Sequence, residues 1–139
     1  MLMLSSKTRY AIVALAKLAK EYGKGPVFMT DIAERTLMPK PYLSTILQDL
    51  KTMGIISSRS GKQGGYYLIR KPEEVTLEEI INYFEGPVGV ISCMSNKEKP
   101  CEQCMEGDFC VIQNVYKEVM DNTMAIFRRT TIDKIVKGA

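Results

Sequence analysis

Two prolines, Pro39 and Pro41, fall between two short segments of helical period, and they limit what this chain can fold into more than any other feature. A proline cannot continue a preceding helix, because it lacks the N–H and its ring meets the carbonyl one turn back, yet it sits well in the first turn of the next helix. Leu37-Met38-Pro39-Lys40-Pro41 therefore reads as a turn. Before it lies a helix for which Thr30 and Asp31 offer caps, with Asp31 and Glu34 at the spacing of a weaker capping box. After it comes a helix over about residues 40–53, whose Leu43, Ile46, Leu47 and Leu50 form a buried stripe and which Gly54 stops. Upstream, Ser5 or Ser6 can cap a first helix in which Tyr10, Ala14, Leu15, Leu18 and Ala19 recur at helical spacing, ended by Gly23-Lys24-Gly25-Pro26. Two short helices at a tight turn make a helix-turn-helix pattern, with the second as candidate recognition helix.

The next segment extends that pattern. Ile55 to Arg59 reads as a strand, Ser60 to Gly65 as a loop and Tyr66 to Arg70 as the returning strand, which together make a basic hairpin, or wing. Gly64 and Gly65 let its backbone turn without a Cβ penalty, and Arg59 and Lys62 are placed to reach phosphates or a minor groove. Charge agrees with this reading. Residues 1–71 hold 12 Lys and Arg against 4 Asp and Glu, whereas residues 72–139 hold 7 against 12. A basic front half is the electrostatic footprint of a phosphate-binding surface. On the recognition helix, removing the buried stripe leaves Lys40, Pro41, Ser44, Thr45 and Gln48 exposed. The Gln48 amide suits bidentate readout of adenine, Ser44 and Thr45 suit bases or phosphates, and Tyr42 suits packing or a phosphate.

Beyond Pro72, Thr76-Leu77-Glu78-Glu79 has the form of a capping box for a helix to about Phe84, and Gly86-Pro87 ends it. Residues 87–107 show neither helical nor strand period, and a loop of that length in a small domain calls for an organiser such as bound metal. The chain's four cysteines, Cys93, Cys101, Cys104 and Cys110, lie in or beside this loop with gaps of seven, two and five residues, and the chain has no histidine. One Cys-x-x-Cys knuckle with two single cysteines matches neither the usual zinc arrangement nor the ferredoxin runs. Softness favours thiolate-bound metal, so an iron–sulfur cluster and zinc both stand as candidates. Asp108 can cap a last long helix, which places Cys110 in its first turn, where free N–H groups favour a thiolate. Glu98, Glu102, Glu106 and Asp108 surround the cysteines and would disfavour bare thiolates without a cation. Along the last helix Ile112, Val115, Val119, Asn122 and Ile126 follow a 3-4-3-4 spacing, the seam of a two-fold dimer. Thr130 to Val136 forms a short terminal helix.

The fold class expected is mainly α with a small β-hairpin wing: a winged helix-turn-helix followed by a long C-terminal dimerisation helix. Its divisions are residues 1–85 for DNA, 86–107 for the cysteine loop and 108–139 for the dimerisation and terminal helices. No apolar run approaches the roughly 20 residues that cross a bilayer, and Met1-Leu2-Met3-Leu4 lacks the form of a signal peptide, so a cytoplasmic protein without membrane attachment is expected. Thiols in that compartment stay reduced and free for metal or redox work. Without an imidazole base or a Ser/Lys or carboxylate constellation, no enzyme is expected.

These residues resemble the Rrf-type family of bacterial winged helix-turn-helix transcriptional regulators, the IscR/NsrR/RirA/CymR-like proteins, over essentially the whole chain. The resemblance is carried by Ser6-Lys7-Thr8-Arg9-Tyr10-Ala11, Asp31-Ile32-Ala33-Glu34, Tyr42-Leu43 with Ile46-Leu47, Gly64-Gly65-Tyr66 with Leu68, and Thr76-Leu77 with Ile80-Ile81. It implies a homodimer on a pseudo-palindromic double-stranded operator, and an iron–sulfur cluster, 2Fe-2S or 4Fe-4S, in the loop before the dimerisation helix. It also implies a redox sensor in transcription regulation. Lys7 joins Lys40, Tyr42, Ser44, Thr45, Gln48, Arg59 and Lys62 as an expected DNA contact. Members of the family usually have three cysteines, the last two separated by five residues, which Cys93, Cys104 and Cys110 match. Their fourth ligand is a histidine soon after the last cysteine or an acid near the partner's N-terminus. Here Gln113 stands at the first position and Ser5 to Tyr10 holds no acid, so Cys101 is the proposed fourth ligand, with Cys101 and Cys104 interchangeable on spacing. The wing departs as well, with Arg59-Ser60-Gly61 placing its arginine one residue early. Some relatives bind enzymes, which makes a metabolic enzyme an alternative partner.

Overall fold

The computed structural model describes residues 4–87 and 113–138. Helix α1 (Ser6–Lys20) begins where the Ser5 hydroxyl accepts the Thr8 N–H at 3.2 Å. It buries Thr8, Ala11, Ala14, Leu15 and Leu18. The two alanines have no bulk to hold neighbours away, and α1 contacts every other helix of the amino-terminal half as well as the wing.

The helix pair follows. Helix α2 (Met29–Thr36) starts with Phe28 at its cap and no side-chain cap bond, so Thr30 and Asp31 are not the caps that the sequence suggested. The reason lies upstream. Val27 exchanges both backbone hydrogen bonds with Tyr66 at 2.8 Å, which pins the chain and makes it coil directly afterwards. Asp31 falls inside the first turn, where its charge meets the positive end of the helix. Leu37 then closes α2 in the left-handed conformation (φ 54°), although 90% of its surface is exposed.

Helix α3 (Lys40–Thr52) buries Leu43, Ile46, Leu47 and Leu50, as its periodicity requires. It ends in a Schellman arrangement: the Ile55 N–H reaches the Leu50 carbonyl, the Gly54 N–H reaches Lys51, and Gly54 takes φ 74°. Strands β1 (Ile56–Arg59) and β2 (Gly65–Leu68) pair antiparallel, with Ile56 opposite Leu68 and Arg59 opposite Gly65. The returning strand stops at Leu68 instead of Arg70, because the Arg70 guanidinium turns to the Glu79 carboxylate (2.6 Å) and the Glu74 carbonyl (2.9 Å). Gly65 does more than serve a turn. At φ 134°, a Cβ there would stand 2.4 Å from the Val27 carbonyl oxygen, so only glycine admits the Val27–Tyr66 rung.

A 3-10 turn at Pro72–Glu74 leads to helix α4 (Leu77–Glu85). Thr76 accepts the Glu79 N–H at 3.3 Å, but Glu79 answers Arg70, so only half of the expected capping box forms. Helix α5 (Gln113–Arg129) and helix α6 (Ile132–Lys137) complete the described chain. Between them the backbone returns to the front of the molecule: Leu77 N–H donates to Thr130 O and Ile132 N–H to Val75 O, both at 2.9 Å. Ile132 is fully buried in the same core as Leu15, Leu47 and Ile80, with Ile135 and Val136 packed against it. The predicted architecture, helical with a two-stranded wing, is the one observed.

Two backbone positions should respond in opposite senses. Leu37→Gly removes the left-handed penalty from a side chain with little burial to lose, and should raise stability by about 1 kcal/mol. Gly65→Ala should lower it by more than about 1 kcal/mol, because the new Cβ meets backbone that cannot move aside. Urea unfolding midpoints measure both, and a loss in Leu37→Gly would show that the leucine makes contacts that outweigh its strain.

Candidate nucleic-acid interface

The solvent face of α3 carries Lys40, Pro41, Ser44, Thr45 and Gln48, all exposed, opposite the four core residues. Thr45 donates its hydroxyl to the Pro41 carbonyl at 3.2 Å, which keeps the oxygen's lone pairs outward as an acceptor. Among the described residues nothing bonds the Gln48 amide. Tyr42 is half-buried, with its ring edge-on to Tyr10 at 5.6 Å. In the last turn, the Lys51 ammonium donates to the Ser58 hydroxyl at 3.0 Å and ties the end of α3 to β1.

On the wing, Arg59 and Lys62 are both exposed. The Arg59 guanidinium lies 5.6 Å from the centre of the Tyr67 ring, a cation–π contact that holds the side chain along the strand. Lys62 stands in the connection between the strands, where the Gly64 N–H closes a turn on the Gly61 carbonyl.

Lys7 is placed differently from the other expected contacts. Its ammonium sits 2.8 Å from Asp49 Oδ2 on α3 and 5.6 Å from the centre of the Phe84 ring. The Asp49 carboxylate holds the Lys7 pKa above the ordinary lysine value. Tyr83 donates its hydroxyl to the other Asp49 oxygen at 3.3 Å. Alongside, the Ser5 N–H (2.7 Å) and the Thr8 hydroxyl both donate to one oxygen of Glu85. Burial would push the Glu85 carboxyl up, yet these bonds outweigh it and hold it below the usual carboxylate range. The start of α1, the last turn of α3 and the end of α4 therefore meet in one polar cluster. No local pattern announces it, since the lone acid of α3 finds its partners far away in the chain.

On α5, Val115, Val119 and Ile126 are 60%, 48% and 48% exposed, an apolar row on the face turned away from the core. Asn122 between them donates its side-chain N–H to the Glu118 carbonyl at 3.0 Å. The opposite side of α5 is docked by buried Met120 and by Arg128, whose guanidinium grips both Glu78 oxygens at 2.9 and 3.0 Å. Ile112, the cap at Asp108 and all four cysteines lie outside the described residues. Among the described residues no helix is long and apolar enough to cross a membrane.

Comparison with known proteins accords with this arrangement. A family model described as Rrf2, iron-dependent transcriptional regulator, matches residues 4–138. An rrf2-like HTH-type transcriptional regulator of Rhodobacter capsulatus is 32% identical over 138 residues, 96% of this chain and 92% of that protein. Among solved structures, CymR, the global cysteine regulator of B. subtilis, superposes with a TM-score of 0.84 at 25% identity, covering 100% of this chain and 99% of that one. The IscR of T. potens superposes with a TM-score of 0.77 at 28% identity, covering 99% and 88%. With its helix pair, its wing and a family match over nearly its whole length, this chain belongs to the Rrf2 family of transcriptional regulators.

Proposed function

We propose that this regulator binds a pseudo-palindromic operator as a homodimer, and that its affinity is set by an iron–sulfur cluster held by Cys93, Cys101, Cys104 and Cys110. The observation that carries the reading is the position of the cysteines. All four lie between α4, whose end is bound to α1 and α3, and α5, whose apolar row is free for a second copy. The donor set fits a cluster: four soft thiolates, no histidine, and acidic neighbours that a bound cation would offset. The family's description as iron-dependent and the likeness to an IscR point the same way. When bound, such a cluster supplies a redox-sensitive, thiolate-ligated centre that orders the segment around it.

In this reading residues 1–85 bind DNA, 86–107 hold the cluster and 108–139 carry the pairing helix. Gln48 reads a base, Ser44 and Thr45 meet bases or phosphates, and Lys40, Arg59 and Lys62 meet phosphates. Val115, Val119, Asn122 and Ile126, with Ile112 before them, face the partner. Two arrangements of the cysteine segment present the paired DNA-binding units differently, and operator affinity changes by the difference between them.

Protein purified without oxygen should be brown and contain iron and acid-labile sulfide, and Cys93→Ser or Cys110→Ser should abolish the colour. Stoichiometric zinc without sulfide would overturn the cluster. A second reading is favoured by the likeness to the global cysteine regulator CymR: a metal-free thiol switch in the same segment. Metal-free protein whose operator affinity changes reversibly with a thiol oxidant would establish it.

The DNA assignment is tested by footprinting and titration. Half-sites should lie about 10 base pairs apart, one helical turn between the two recognition helices. Gln48→Ala should relax preference by about 1–3 kcal/mol at one symmetric position. Lys62→Ala should weaken all sequences alike and lower the salt slope by about one. A uniform loss in both variants would contradict these roles, and salt-insensitive, weak DNA binding would favour an enzyme partner instead.

Val119→Asp should split the dimer, because it buries two like charges across the two-fold axis, and operator binding should weaken with it. Light scattering decides this, and a variant that stays fully dimeric would remove α5 from the interface.

A further inference from the structure

We infer that Asp49 is a positioning residue for the recognition helix: clamped by Lys7 of α1 and Tyr83 of α4, it sets how α3 is presented, and Lys7 acts through it instead of touching phosphate. The inference rests on α3 being the DNA reader. Asp49 is the only acid in α3 and directly follows Gln48. An unpaired carboxylate beside a base-reading residue would repel the phosphates that the surrounding cations attract. This one is not unpaired. Its Oδ2 is buried and, among the described residues, accepts no hydrogen bond of regular geometry, but the Lys7 ammonium stands 2.8 Å away as an ion-pair partner, and its Oδ1 accepts the Tyr83 hydroxyl at 3.3 Å.

Geometry assigns the clamp to orientation. The core stripe Leu43, Ile46, Leu47 and Leu50 fixes α3 against the interior, but apolar contacts are not directional and tolerate small rotations about the helix axis. Asp49 is half-buried beside that stripe, and its two oxygens are held from two different helices. A rotation of α3 that would swing Gln48 away from a base edge would also pull Asp49 from Lys7 or Tyr83. The Lys7 ammonium is also held against the Phe84 ring, so its reach toward solvent is limited from a second side. A lysine engaged in this way is poorly placed to follow a phosphate, whereas Lys40 and Lys62 are exposed.

The test is operator and random-sequence DNA binding across a salt series for Asp49→Asn, Tyr83→Phe and the double variant Asp49→Asn/Lys7→Met. Asp49→Asn should lose about tenfold in operator affinity while random-sequence affinity stays within about twofold, since orientation matters only for base readout. Adding Lys7→Met should change neither affinity nor salt slope further. Tyr83→Phe removes one donor without a change of charge, and should lose operator preference by a smaller factor at unchanged salt slope. Should Asp49→Asn fail to fold, Tyr83→Phe carries the test alone. An Asp49→Asn protein that binds operator as tightly as the parent or tighter overturns the inference. So does a salt slope that falls by about one when Lys7→Met is added, because Lys7 would then be a phosphate contact. Gln48→Ala separates the two levels. If it loses operator preference while Asp49→Asn does not, only the clamp is wrong; if it loses none, the assignment of α3 as reader is wrong.

Discussion

The short backbone pairing of residues 75–77 with residues 130–132 is the constraint on which the rest of the arrangement depends. By holding the junction between α5 and α6 against the start of α4, it lets Ile132 fill the core beneath α1 and α4 and fixes where α5 leaves the DNA-binding unit. Arg128 gripping Glu78 adds a charged contact at the same end. Without this return, the long helix would be tied to the described front half mainly by side chains, Arg128 on Glu78 and buried Met120. With it, the two described helices that flank that segment are both anchored to one core, and a change between them has a fixed frame to act against.

That return also shows what a single sequence can and cannot express. Features that depend on neighbours within a turn or two were legible: the Ser5 cap, the four core residues of α3, the left-handed stop at Gly54, and Thr131 capping the last helix where a short terminal helix was expected. Features settled by distant partners were not. The α2 start moved to Met29 because Tyr66 holds Val27, β2 ended early because Glu79 takes Arg70, and the same contact halved the capping box at Thr76. The burial of Ile132 likewise needs a strand-like partner far upstream.

The candidate interface was legible to a similar degree. An exposed face on α3 follows from subtracting its buried stripe, and the exposed apolar row on α5 follows from its spacing. The engagement of Lys7 does not, because Asp49, Tyr83 and Phe84 come together only through the packing of three helices. A cation count treats every lysine of the basic half as equivalent. The fold separates Lys7, held by Asp49, and Lys17, paired with Glu21, from the exposed lysines of α3 and the wing.

The rung between Val27 and Tyr66 has a consequence for how the protein meets a duplex. The wing and the helix pair are usually pictured as two appendages, each settling on DNA by itself. Here the wing's return strand is hydrogen-bonded to the residue just before α2 begins, and Lys51 ties the end of α3 to the outgoing strand. The helix pair and the wing are therefore held on one stiff frame. In the proposed reading, a duplex whose groove width suits only one of them would be disfavoured as a whole, so that DNA shape would be sensed without any additional base contact.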